Sequence, residues 1–143
     1  MVTDMVMTDH ISASEYMQLR KIVGWAEFPL EQAEEGLKNC YLWCLRESED
    51  SRPVALARVI WDHGYVIYIA DVIVIPEYQG QGLGRVLMEK ILEFIKEQLK
   101  PGYRFMVSLC SAKDKETFYE KFGFKIRPDE NYGPGMCQWF LGE

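Results

Sequence analysis

The sequence predicts an α/β (α+β) fold in which one mixed sheet is covered by helices on both faces. Three observations predict it. Residues Tyr65 to Ile75, "YVIYIADVIVI", are apolar at nearly every position, the pattern of a strand buried on both sides. Leu83, Leu87, Ile91, Ile95 and Leu99 then recur every four residues, with Glu89, Lys90, Glu93 and Lys96 elsewhere on the cylinder, so a helix comes directly after it. The remaining elements run as two helices, a meander of strands, strand–helix–strand, and finally helix–strand–strand.

Taken in chain order, "ISASEYMQLRKIVGW" opens with Ser12 and Glu15 at the spacing of a capping box. Tyr16, Leu19, Ile22 and Val23 give this first helix its apolar face. "PLEQAEEGLKNC" is a second helix with Pro29 near its first turn. "CYLWCLRE" and "PVALARVIWD" are strands joined by the polar turn "SEDSR", and His63–Gly64 turns the chain into the strand 65–75. The long helix runs from about Gln81 to Leu99. "RFMVSL" is the next strand, "KDKETFYEKF" a short helix ended by Gly123, and "FKIR" and "MCQWFL" close the chain as strands around "PDENYGPG".

At 143 residues, 48% hydrophobic and 27% charged, the chain fits one domain, residues 1–143, with a proper core. A net charge of −6 argues against general nucleic-acid binding, which needs clustered Lys and Arg on the phosphates. No apolar run approaches the roughly 18 residues that span a bilayer, and "MVTDMVMTDH" has no secretory pattern, so a cytoplasmic location is expected. Cys40 and Cys44 stand in an apolar segment with three residues between them, Cys110 and Cys137 far away, and the chain has 2 histidines, His10 and His63. That set supports reduced thiols and no metal site.

The candidate chemistry begins at "QGQGLG", Gln79 to Gly84, between the apolar strand and the long helix. Unpaired N–H groups at a helix N-terminus, together with the helix dipole, favour an anion, and glycine lets it approach without a Cβ in the way. A tight turn with close helix packing needs the same residues. Spacing excludes two familiar devices. A P-loop requires Lys and Ser or Thr directly after its last glycine, and Arg85-Val86 stand there. A dinucleotide fingerprint, G-x-G-x-x-G, would need its last glycine at Arg85 or Leu87.

Gln79, Gly82 and Gly84 do fit Q-x-x-G-x-G after "VIVIP", and "FYEKFGF", Phe118 to Phe124, comes later in order with a strand between. The pair resembles motifs A and B of the GNAT acyltransferases, whose element order matches the whole chain. One position departs from the pattern: many members carry Asn seven residues before the motif B tyrosine, where this chain has Ala112.

The resemblance implies a mostly antiparallel sheet of six to seven strands with a splayed parallel pair. It also implies acetyl-CoA as cosubstrate and no metal. The amides of Gln79, Gly80, Gln81, Gly82, Leu83 and Gly84 would cradle the pyrophosphate, and the backbone of Val72, Ile73 and Val74 would bond the pantetheine. An N–H near Val74 would stabilise the oxyanion, and Tyr119 would reprotonate the leaving thiolate. The activity implied is direct attack of a primary amine, small-molecule or peptide, on the thioester. Holding an alkyl amine of pKa about 10.4 neutral at pH 7 costs roughly 4.6 kcal/mol, so a base or a desolvating pocket is needed. Asp71, the one charge in the strand 65–75, is the candidate base, against the alternative of a structural ion pair. Glu27, Trp25 and Tyr68 are candidates to meet the acceptor. A non-catalytic acyl-CoA-binding module, or an enzyme acting on a protein amine, shares all these residues. The family also admits a homodimer through its C-terminal strands.

Overall fold

A computed structural model describes residues 4–142. Its contacts divide the chain into Met1–Leu109 and Cys110–Glu143, two units taken one at a time.

The first unit is a sheet of five strands in the spatial order β1-β2-β3-β4-β5, namely Met5–Thr8, Tyr41–Glu47, Pro53–Trp61, Val66–Val74 and Met106–Leu109. The first four pair antiparallel and β5 joins β4 in parallel. Helices α1 (Ala13–Ile22) and α2 (Leu30–Lys38) precede β2, and α3 (Leu83–Gln98) crosses from β4 to β5. The two helical layers lie on opposite faces. Tyr41, Trp43 and Trp61 meet Phe94 of α3 with ring centroids 4.7, 5.5 and 6.2 Å apart. On the other face Arg58 and Asp71 meet Tyr16 and Arg20 of α1.

The capping box forms as the spacing requires: Glu15 N donates to Ser12 Oγ at 3.0 Å and Ser12 N donates to Glu15 Oε1 at 3.1 Å. Glu15 is then used a second time. Buried Arg46 of β2 donates to both its oxygens at 2.8 and 2.9 Å, and also to Ser51 O and His10 O, which ties the start of α1 to the sheet and to the β2–β3 turn. The guanidinium, chiefly by hydrogen bonding, holds the Glu15 carboxyl down at about 2. The buried side of α1 is Ala13, Tyr16, Met17, Leu19 and Arg20, while Ile22 is exposed. Arg20 turns inward because Asp71 and three aromatic rings await it.

Strand β4 has two irregularities, and both shape the site. Its register with β3 shifts between Val59↔Ile69 and Arg58↔Asp71, so Ala70 is an extra residue, a β-bulge. Strand side chains alternate faces. Without the bulge Asp71 would share the α3 face with Ile67 and Ile69; the extra residue turns it to the α1 face. At the same point β5 ends. Its last pair is Ile69↔Leu109, and β4 continues to Val74 with no ladder partner on that edge among the described residues.

In the second unit α4 spans Glu116–Glu120, and Phe118 stacks edge-on with Phe122 at 5.3 Å. The expected strands "FKIR" and "MCQWFL" do not form, and β1, too short to be read from "MVMT", does, so the sheet has five strands among the described residues and not six to seven. A strand persists only when its N–H and C=O groups are paired by a neighbour. Residues 127–133 bond locally instead: Arg127 Nε donates to Gly133 O, Asp129 N to Tyr132 O, and Asn131 N and Tyr132 N to Asp129 Oδ1. Met136, Trp139, Phe140 and Leu141 are exposed.

Candidate functional site

The open edge of β4 carries two usable peptide groups. Ile75 N donates to Val54 O on the β3 side. Peptide directions alternate along an antiparallel strand, so the N–H and C=O of Val74 and of Val72 point to the open edge and those of Ile73 point to β3. Val74 O already accepts from Gln79 Nε2 at 2.9 Å. Val74 N–H remains directed outward.

A short 3-10 turn, Pro76–Tyr78, links this edge to the glycine segment. Gly80 has φ +79° and Gly82, the N-cap of α3, has φ +85°, both in the left-handed region. An added Cβ at either would meet no atom within 4 Å. Close packing therefore does not explain these glycines; backbone conformation does, and the space beside them is open. Gly82, as N-cap, has no side chain to bond the helix amides. Gln79, Gly80, Gln81 and Gly82 are exposed, whereas Leu83 is buried and anchors the first turn. The segment shapes itself: Gln79 reaches back to Val74 O, and Gln81 Nε2 donates to Glu77 O at 3.3 Å. An exposed run of amides at the start of a 16-residue helix has the geometry and the field that favour an anion.

Asp71 lies on the α1 face and is 6% exposed. Oδ2 accepts from Tyr16 OH at 2.5 Å and Arg58 Nε at 2.8 Å, and Oδ1 lies 3.5 Å from an Arg20 terminal nitrogen. Arg20 also donates to Ala26 O at 2.9 Å and sits over the rings of Phe28, Trp25 and Tyr16 at 4.8, 5.5 and 5.7 Å. Burial, then the Asp71 charge, push the Tyr16 phenol up to about 12, so it donates its proton and stays neutral. The cluster is thus one carboxylate between two guanidiniums. This is the arrangement of an ion pair, the alternative to a base that the sequence left open.

The other candidates lie in different places. Trp25 joins the Asp71 cluster through Arg20, while Glu27 is exposed in the α1–α2 connection. Tyr68, half-buried, pairs with Ile60 and Ser108, three residues before Asp71. Tyr119 belongs to the second unit, on α4, with Phe118 and Phe124 around its ring at 5.0 and 6.4 Å. Burial raises its pKa above the ordinary phenol value. Among the described residues no group of three or more His, Cys, Asp or Glu converges as metal ligands would. No helix among them is long and apolar enough to cross a membrane.

Sequence reasoning missed the part that Tyr16, Arg20 and Arg58 play around Asp71. The signal for Arg58 was present: it is the lone charge of "PVALARVI", as Asp71 is of "YVIYIADVIVI", and two lone charges in hairpin strands point to each other.

Comparison with known proteins identifies the family. The family described as "Acetyltransferase (GNAT) domain" matches residues 38–126. An uncharacterized N-acetyltransferase of Porphyra purpurea is 34% identical over 125 residues, 85% of this chain and 70% of that protein. A histone acetyltransferase of Glycine max is 33% identical over 75% of this chain, which spans only 49% of that protein. Among solved structures, a probable acetyltransferase of unknown function from meticillin-resistant Staphylococcus aureus superposes with a TM-score of 0.81 at 30% identity, covering 94% of this chain and 99% of that one. The chain belongs to the GNAT acetyltransferase family and is an acyltransferase enzyme.

Proposed function

We propose that the protein transfers the acetyl group of acetyl-CoA to a primary amine. The observation that carries this reading is the junction of a strand edge that has no ladder partner among the described residues with a helix start whose N-cap is a glycine. Gly80 and Gly82 leave room where any side chain would fill it, which fits a bulky anion. Acetyl-CoA supplies an activated acyl thioester. The amides of Gln79 to Gly84 hold its pyrophosphate, and the outward peptide groups of Val72 and Val74 hold its amide arm where β5 has left the sheet. Val74 N–H is the donor for charge developing on the reacting carbonyl. A solved GNAT acetyltransferase from Elizabethkingia anophelis carries bound acetyl-CoA, and one related by fold was solved with a CoA bisubstrate analogue; both support the reading.

Tyr119, by its place in "FYEKFGF", is the residue assigned the proton for the leaving sulfur, and burial favours its neutral phenol. The Asp71 cluster fixes α1 and the bulge rather than removing the amine's proton. Two experiments test the proposal. Acetyl-CoA at about 100 times its Kd should add roughly 2.7 kcal/mol of stability. Incubation with acetyl-CoA and a panel of primary amines should release free thiol, about 10- to 100-fold more slowly in Tyr119→Phe. No thermal stabilisation by acetyl-CoA would remove the binding reading. Thiol release at the wild-type rate in Tyr119→Phe would remove the role of the phenol.

A further inference from the structure

Between buried Ile75 and buried Leu83 the chain leaves the sheet and forms the glycine loop. The Gln81 bond is internal to that segment, and the Gln79 bond reaches only to Val74 O at the end of β4, the strand the segment leaves. Among the described residues, two polar side-chain contacts tie it to the β2–β3 hairpin. Tyr78 OH donates to Glu47 Oε2, and Arg52 donates to Glu77 Oε1 at 2.9 Å. The second is an exposed ion pair, its side chains 41% and 60% accessible, and contributes little. The first is more sheltered. Glu47 ends β2, opposite Met5, and its peptide is held by Arg52 O and by Ser51 N. Its carboxylate is gripped by Arg52 Nε at 2.8 Å and by a second guanidinium nitrogen at 3.3 Å. Arg52, chiefly, and Tyr78 hold it ionised down to about pH 2.

We propose that Glu47, braced by Arg52 and acting through the Tyr78 hydroxyl, positions the Gln79–Gly84 loop for the pyrophosphate of its ligand. This rests on the acetyl-CoA reading above. The cluster sets one guanidinium against two carboxylates, so it adds no positive field to an anion site. Its contribution is placement: Tyr78 immediately precedes the loop, and a displaced Tyr78 displaces the amides next to it.

The test is calorimetric binding of acetyl-CoA, with hydrogen exchange of the segment 75–86 measured in the same variants. Tyr78→Phe and Glu47→Ala should each weaken binding about ten- to a hundredfold, the loss expected for one charge-assisted hydrogen bond. Both should speed exchange within 75–86 while leaving the rest of the sheet protected. Glu47→Gln keeps an acceptor for the phenol and should stay within about threefold of wild type. Wild-type protein that fails to bind acetyl-CoA removes the function on which the proposal rests. Wild-type protein that binds, with Tyr78→Phe at the same affinity, overturns the proposal alone. So does Glu47→Gln binding more tightly than wild type, which would make the carboxylate a repulsive charge, or faster exchange spread across the whole sheet.

Discussion

Replacing Asp71 by Asn separates an ion pair from a catalytic base. The side chain keeps its shape, and one acceptor oxygen becomes an amide nitrogen. Two guanidiniums whose side chains are 10% and 15% accessible then lose their shared counter-charge. Removing one partner of a buried pair costs about 3–5 kcal/mol, because the remaining charge is left uncompensated. For 143 residues the unfolding entropy is about 0.3 kcal/mol per degree, so Tm should fall by roughly 10–17 °C. Differential scanning calorimetry measures this directly. Activity, read by thiol release well below the new Tm, should fall by less than about fivefold, since the folded fraction keeps its open β4 edge. The double variant Asp71→Leu/Arg58→Met should recover about half or more of the lost stability, because an apolar pair of similar volume has no charge to desolvate. Arg20 keeps Ala26 O and three aromatic faces in that background. A variant Asp71→Asn that melts within about 3 °C of wild type yet loses more than about 100-fold in turnover would refute the reasoning and restore the carboxylate as base.

The glycine loop and the capping box carry the remaining predictions. Gly82→Ala forces an L residue to φ +85° with nothing crowding the new methyl, so it should cost only the left-handed strain, about 1–2 kcal/mol by denaturant unfolding. It should weaken acetyl-CoA binding more than that strain alone explains; equal affinity would show that the cradle lies elsewhere. Glu15 has a folded pKa of about 2 against 4.5 unfolded, so its contribution is present above pH 4.5 and is lost as pH falls toward 2. Its side chain is 35% accessible, which tempers the gain to about 1–2 kcal/mol. Glu15→Gln should lower Tm at pH 7 and flatten the loss of Tm between pH 4.5 and 2; a wild-type slope there would show that Arg46 gains nothing from the charge.

The elements were largely legible in the sequence, for physical reasons that are local. Ser12 and Glu15 cap a helix by their spacing alone, and the four-residue recurrence from Leu83 to Ile95 needs no partner to be seen. Legibility failed where pairing decides. "MVMT" pairs with β2 although four residues carry no pattern, whereas "MCQWFL", with every sign of a strand, finds no ladder. Arg20 lies outside the apolar stripe that periodicity assigns to α1, yet it is 8% exposed. Helix periodicity locates an apolar stripe but does not report what the opposing sheet presents to it.

The residue types of the candidate site were set by sequence: glycines where φ must be positive, and a phenol and a lone carboxylate as candidates for proton transfer. Tertiary structure decided their surroundings. Asp71 has the mark of a base because a lone carboxylate in an apolar strand needs a reason. A single inserted residue, Ala70, turned it away from α3 and onto two arginines and a tyrosine. The same point ends β5 and opens the edge that Val72 and Val74 line. Register between strands depends on contacts far apart in the chain, so no local pattern in the sequence carries it.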